Sequence, residues 1–173
     1  LVHCSHFNKG DSVLHRHIAS KLLGCGVSPV ELDVKGRRAI CLAAILGKSA
    51  LLAQFLFKCK DEVREALQHQ PEDSFTHLIW HVLMACPAIT FKKSTIDARK
   101  NYEECILMLL NGGWKVEVSY RGNLFNFPMT KPTGRFLSCV ELASLKQLPR
   151  VLKLFMLLGD VSSSSGQFFE IGR

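Results

Sequence analysis

The sequence lacks the marks of a membrane protein or a disulfide-rich one. Apolar runs such as "ILMLL" (106–110) fall far short of the ~20 residues that a membrane span needs. The seven cysteines stand singly, without a Cys-x-x-Cys pair, and most of them lie inside apolar runs. An odd number of such cysteines indicates reduced, packed thiols, so we expect an intracellular protein. The chain begins with Leu1 and shows no charged-then-apolar leader, so we expect a piece of a longer protein or a processed one.

Motifs for catalysis are incomplete. The tripeptide "GKS" at 47–49 looks like part of a phosphate-binding loop, but Leu42 stands where that loop needs its first glycine. His77 and His81 have the i, i+4 spacing of zinc ligands, but Leu78 replaces the glutamate that follows the first histidine in metalloproteases. We therefore predict no enzyme activity, no metal site and no cofactor in these residues.

The composition is that of an ordinary globular domain with an excess of basic residues. The 173 residues are 47% hydrophobic and carry a formal net charge of +7, which is enough chain for one domain with a core. A positive charge favours acidic partners, so we expect a protein partner with an acidic patch and no membrane partner. Nucleic acid is the weaker alternative, because the basic residues occur as pairs (37–38, 92–93, 99–100) and never as a long run.

A pattern of turns and short apolar runs recurs along the chain. The stretch "DVKGRRAICLAAILGKSALLAQFLF" (33–57) has a glycine turn, an apolar run, a second glycine and another apolar run. The position that follows the second run recurs at Gly26, Cys59, Gly113 and Gly159, with separations of 33, 54 and 46 residues. The two longer separations equal 33 plus 21 and 33 plus 13 residues. Insertions in a repeat array map to loops, so the spacing indicates a 33-residue array with two expansions.

This pattern resembles the ankyrin repeat. Gly36, Ala43, Ala44 and Gly47 match its spacing, although "RA" at 38–39 replaces Thr-Pro. The resemblance implies an all-α fold, a right-handed α-solenoid of helix-turn-helix repeats with β-hairpin finger loops. A generic all-α bundle is the alternative, but it predicts no fixed period. The units are a repeat domain over 1–161 (repeats near 8–32, 33–65, 72–118 and 134–161, insertions near 87–97 and 119–133) and a Ser-rich flexible tail over 162–173.

Local signals suggest where helices begin and end. Glycine after each second helix suits the left-handed C-cap, and Cys59 in that slot would cost ~1 kcal/mol if the geometry were kept. "DEVREALQ" (61–68) is expected to lengthen the helix before it, and Ser94 or Thr95 to cap the helix after the first insertion. In the first unit, "GDSVLH" (10–15) is taken as the start of one helix and 18–33 as a second helix with its turn.

The second insertion is predicted to form a long β-hairpin finger, because apolar residues alternate on both sides of a glycine turn. Aromatic and arginine side chains on a projecting finger are typical of interface hot spots. The alternative is that these aromatics fold back and cover an exposed flank of the array. Both interpretations stay open.

The function that the resemblance implies is non-catalytic protein binding, as a scaffold or adaptor, through a concave groove and hairpin tips. One alternative is a regulator of a transcription factor or nucleic-acid-associated complex that acts through a basic surface. Another is a targeting module of a larger multidomain protein or ubiquitin-ligase receptor. The residues assigned to partner binding are Arg37, Arg38, Ile45, Leu46, His77, His81, Trp114, Tyr120, Arg121, Phe125 and Phe127.

Overall fold

The computed structural model describes residues 13–69, 77–87, 93–114, 116 and 138–163. Within these residues the chain forms eight α-helices and no β-strand, which confirms the all-α class. None of these helices is long and apolar enough to cross a membrane. The helices are α1 (Val13–Gly24), α2 (Ala39–Ile45), α3 (Ser49–Lys58), α4 (Lys60–His69), α5 (Leu78–Ala85), α6 (Lys93–Asn111), α7 (Cys139–Leu145) and α8 (Pro149–Ser163).

The helices stand in two rows. In the first row, α2 packs on α5 and α5 packs on α7. In the second row, α1 packs on α3, α3 on α6, and α6 on α8. Three helix pairs, α2–α3, α5–α6 and α7–α8, join the rows, and α4 packs against α3. Each pair therefore rests on the neighbouring pair.

The first-row helices are too short to be stable alone. They contain seven or eight residues, about two turns, and isolated helices of that length are marginal in water. Their stability comes from burial: Ala43 of α2, Val82 of α5 and Ala143 of α7 are all fully buried. On α3 the large side chains of Leu52 and Phe55 are fully buried as well. Alanine at the contact positions lets neighbouring helices approach closely, so the core runs between the two rows.

Four helices end in the same left-handed turn. The left-handed residues are Gly26, Gly47, Gly113 and Gln147, which follow α1, α2, α6 and α7. In each turn the next N–H donates to the carbonyl five residues back, as Trp114 does to the Leu109 oxygen at 3.1 Å. The N–H of the left-handed residue itself donates to the carbonyl three residues back. These two hydrogen bonds form the Schellman motif, which satisfies carbonyls at the helix end. The sequence predicted such a C-cap at Gly26 and Gly113, and the structure confirms it at both.

The other predicted helix ends differ from the structure. Cys59 has φ −121°, so it is not left-handed, and it separates α3 from α4 instead of joining them into one longer helix. Gly159 lies inside α8, which continues to Ser163. In the first unit, α1 is continuous through 15–18, where one helix was expected to give way to the next.

The capping box predicted after the first insertion is also misplaced. Helix α6 begins at Lys93, so Ser94 and Thr95 lie within it and not before it. A capping box does occur at α7: the Ser138 hydroxyl accepts from the Glu141 N–H at 3.2 Å, and the Glu141 carboxylate accepts from the Ser138 N–H at 2.7 Å. The S-x-x-E signal was present in the sequence at this point.

Candidate functional site

The outward face of the first row is the candidate binding surface. The helices α2, α5 and α7 align on their N-caps, which are Arg38, His77 and Ser138. In this alignment the fully buried Ala43, Val82 and Ala143 occupy one position. A helix turns by about 200° over two residues, so the residue two positions later lies on the opposite side of its helix from this buried position.

That outward position is apolar on all three helices. It holds Ile45, Met84 and Leu145, which we call the apolar stripe. Ile45 and Met84 are half-buried and pack partly against the core, whereas Leu145 is 60% exposed. Leu46, beside the stripe, is half-buried as well. The predicted groove residues Ile45 and Leu46 therefore lie on this face, whereas Met84 and Leu145 were not singled out from the sequence.

The two predicted groove histidines belong to the same row. The carbonyl of His77, the N-cap of α5, accepts the His81 N–H at 3.2 Å. The half-buried His81 ring meets the Trp80 ring edge-on, with centroids 5.2 Å apart. Burial, and secondarily the neighbouring charge of His77, lowers the pKa of His81, so its imidazole is neutral near pH 7 and offers one donor and one acceptor. Within the described residues, no group of three or more His, Cys, Asp or Glu side chains could hold a metal ion.

The turn between α1 and α2 is held by its own charged residues. Leu32 and Arg38 form an isolated antiparallel bridge. The Asp33 carboxylate accepts from the Arg37 guanidinium at 2.8 and 3.0 Å, and from the Arg37 backbone N–H at 2.8 Å. The Arg37 side-chain hydrogen bonds, together with that backbone bond, lower the pKa of Asp33 to about 2. The charge of Arg37 is therefore matched within the turn.

Arg38 lies inside the fold and not on the binding surface where we expected it. Its side chain is 4% exposed, and its Nε donates to the Val30 carbonyl at 2.9 Å. The aliphatic part of the side chain is buried, and the guanidinium donates to a backbone carbonyl. A partner could reach this group only if the turn opened.

Trp114 is likewise buried, at 3% exposure, within the hydrophobic core after α6. Trp114 therefore packs against the helices and does not project from a finger. The other predicted finger residues, Tyr120, Arg121, Phe125 and Phe127, lie outside the described residues, and so does the insertion at 119–133.

Side chains from neighbouring pairs bind the carboxyl ends of the first-row helices. The Tyr102 hydroxyl of α6 donates to the Ile45 carbonyl at 2.9 Å, and the Lys146 amine donates to the Cys86 carbonyl at 2.5 Å. Arg99 of α6 donates to the Lys146 and Gln147 carbonyls. A cation near the carboxyl end of a helix also complements the helix dipole. Sequence reasoning missed these contacts, because each partner is chosen by tertiary packing.

The second row offers a separate surface. A shallow groove of about 340 Å³ lies between α3 and α6, with Arg150 of α8 at its edge. One turn beyond its Ala53, Phe57 is 86% exposed. The lining residues are Ser49, Ala50, Ala53, Glu104, Leu107, Met108, Asn111 and Arg150. The wall mixes charged and apolar groups, unlike the face of the first row.

The described helices define an all-α protein built from helix pairs that pack side by side. Compared with protein-family models, with curated proteins and with solved structures, the chain has no match. Its function must therefore be inferred from the arrangement of the rows and from the chemistry of their exposed faces.

Proposed function

We propose that the chain is a non-catalytic protein-interaction scaffold, an ankyrin-type right-handed α-solenoid that binds a protein partner through the outward face of its first row. The observation that carries this proposal is the apolar stripe. Three apolar side chains recur at one position on three neighbouring helices, and His81 lies one helical turn before Met84. Contiguous apolar surface on a folded protein is a mark of interaction sites.

The arrangement of the helices supports the repeat assignment. The start of α7 lies 100 residues after the start of α2, which equals two periods of 33 residues plus the 34 residues of the two insertions. Each of these helices is followed by the same left-handed turn and then by a longer second helix. The bridge between Leu32 and Arg38 lies in the connection that forms a finger in ankyrin arrays. A stack of helix-turn-helix units is expected to repeat these features in each unit.

The proposal is tested with two leucines of matched exposure on one helix pair. Leu145 of α7 is 60% exposed on the stripe, and Leu157 of α8 is 56% exposed on the second row. We expect Leu145→Asp to lose a protein captured from cell lysate by the immobilised chain, and Leu157→Asp to retain it. The far-ultraviolet circular dichroism of both variants should match the original chain, because both positions face water.

The results that contradict the proposal are equally specific. Capture that survives both substitutions, or that both abolish alike in folded variants, would show that the stripe is not the binding surface. Capture that disappears after nuclease treatment would instead favour the nucleic-acid alternative through the basic residues.

A further inference from the structure

The rows differ sharply in charge, and this difference bears on what the stripe can bind. The helices α2, α5 and α7 contain 7, 8 and 7 residues, and Glu141 is the single charged side chain among them. Its carboxylate accepts the Ser138 N–H in the capping box at 2.7 Å. By contrast, every described second-row helix carries at least one lysine or arginine. Among the described residues, the helices that carry the stripe are therefore nearly uncharged, although the protein as a whole is basic.

The basic side chains next to the first row are engaged within the fold. Arg38 is buried on the Val30 carbonyl, and Lys48, which follows the turn after α2, is 5% exposed. Lys146, which follows α7, donates to the Cys86 carbonyl, and burial lowers its pKa. These three cations border the stripe in sequence without presenting free charge on it. The described first-row helices themselves therefore offer no lysine or arginine to an acidic patch.

We infer that the partner presents to the stripe an uncharged segment whose apolar side chains contact Ile45, Met84 and Leu145 in turn. The inference rests on the proposed function and specifies its partner class. A charged group placed against an uncharged, half-buried surface loses hydration without gaining an opposite charge, so such a surface selects against acidic and basic segments. The neutral imidazole of His81 supplies a polar contact beside the stripe.

The geometry of the row sets the spacing in the partner. Neighbouring packed helices lie about 8–10 Å apart, so the three stripe positions are separated by about that distance each. Three residues of extended chain cover about 10 Å, and seven residues of α-helix cover about the same length. The segment therefore needs apolar side chains about 10 Å apart, over about seven extended residues or about fifteen helical ones.

The test is a selection from a phage library of random peptides about fifteen residues long, enough for either conformation. The full chain is the target, and folded Leu145→Asp is used for counter-selection. We expect enriched peptides with few Asp, Glu, Lys or Arg residues. As synthetic peptides followed by fluorescence polarisation, they should bind Leu145→Asp at least about tenfold more weakly. The matched Leu157→Asp should change their affinity by less than about twofold.

Salt and a neutral substitution complete the test. Affinity should change by less than about twofold between about 0.05 and 0.5 M salt, because screening acts on charged contacts. Leu145→Asn removes apolar surface without adding charge, so it should weaken binding as well, by less than Leu145→Asp. It also keeps the test valid if the aspartate variant does not fold.

Each remaining outcome overturns a defined statement. Acidic peptides that depend on Leu145 and weaken steeply with salt would overturn the uncharged partner class but leave the proposed binding surface in place. Peptides that bind the original chain and Leu145→Asp equally, or a library that yields no Leu145-dependent peptide, would overturn both.

Discussion

The interior pair α2–α3 and the end pair α7–α8 share one plan but face different surroundings. Ala44 of the interior pair is fully buried, whereas Ser144, its equivalent, is exposed. Gly47 is buried beneath the next pair, whereas Gln147 at the same turn is exposed. Small residues stand where a neighbour covers the pair, and polar residues stand where no described element does. The comparison teaches that position in the stack, more than the plan of the pair, determines which residue types are tolerated.

The contact that covers Gly47 shows why the two turns differ. A Cβ atom at Gly47 would lie 2.6 Å from Cε2 of the Tyr102 ring, closer than carbon atoms approach. Glycine is thus required both for the left-handed φ of 64° and for the ring. Gln147 has a side chain at the equivalent place, so a ring could not settle on this turn in the same way. The described face of α7–α8 therefore carries polar side chains at the positions where α2–α3 carries small buried ones.

The largest effect is expected from breaking the interior contact. Gly47→Ala combines left-handed strain with overpacking against Tyr102, so it should lower the free energy of unfolding by about 3 kcal/mol. Gly26→Ala is the control: Gly26 has φ 81°, but nothing lies within 4 Å of an added Cβ. The control should lose only about 1 kcal/mol in urea unfolding. Equal losses would show that the ring moves aside without cost.

A second test removes the hydroxyl that joins α6 to the end of α2. Tyr102→Phe should lose about 1 kcal/mol, because the Ile45 carbonyl loses its donor. Burial, with smaller effects of Cys86 and Cys105, raises the pKa of Tyr102 from 10 to about 12. The raised value means that this contribution is complete below pH 10 and is lost as pH rises through about 12.

The difference in unfolding free energy between the original chain and Tyr102→Phe should therefore shrink above pH 10. Urea titrations at a series of pH values measure it. A difference that stays constant through this range would mean that the phenol is not held neutral by the fold.

A smaller effect distinguishes the starts of the two pairs. Ser138→Ala removes the capping-box hydroxyl of α7 and should cost about 1 kcal/mol. The exposed Ser144→Ala in the same helix should change the free energy of unfolding by less than about 0.5 kcal/mol. Helix α2 has no equivalent capping bond to remove, because its N-cap Arg38 makes no side-chain hydrogen bond of this kind. Similar losses for the two serines would show that the box does not stabilise α7.

The smallest effect is a gain. Gln147→Gly should raise the free energy of unfolding by about 0.5–1 kcal/mol, because φ 49° strains glutamine but not glycine. Gln147→Ala keeps the strain and should leave stability nearly unchanged. Thermal melts of the three proteins compare them directly. A loss of stability in the glycine variant would assign Gln147 a contact that its exposure does not suggest.

Sequence reasoning worked best where the signal is local. The all-α class that the resemblance implied is confirmed, and Gly26 and Gly113 are left-handed because that backbone conformation favours glycine. At Cys59 the predicted helix end is confirmed but is not left-handed, and at Gly159 the 33-residue spacing placed a helix end inside α8.

The candidate site was predicted in part for the same reason. Ile45 and His81 lie on first-row helices and are both half-buried, and their assignment to partner binding stays a prediction. Arg38 looked like a surface residue because charge usually marks exposure, yet the Val30 carbonyl holds it inside. Leu145 became visible as a stripe residue only when the three helices were aligned on their N-caps. That alignment depends on helix starts, which a sequence fixes poorly.

The bonds that cross between pairs also bear on how the protein comes apart. If α7 detached, Lys146 would leave the Cys86 carbonyl of α5, and Arg99 would lose its acceptors. Side chains of one pair thus donate hydrogen bonds to backbone carbonyls of another pair. Partial opening at one end therefore leaves carbonyls in the remaining pair without these donors. This coupling between nearest neighbours favours all-or-none melting over fraying from one end. Amides at the ends of α5 and α7 should then exchange with solvent at similar rates.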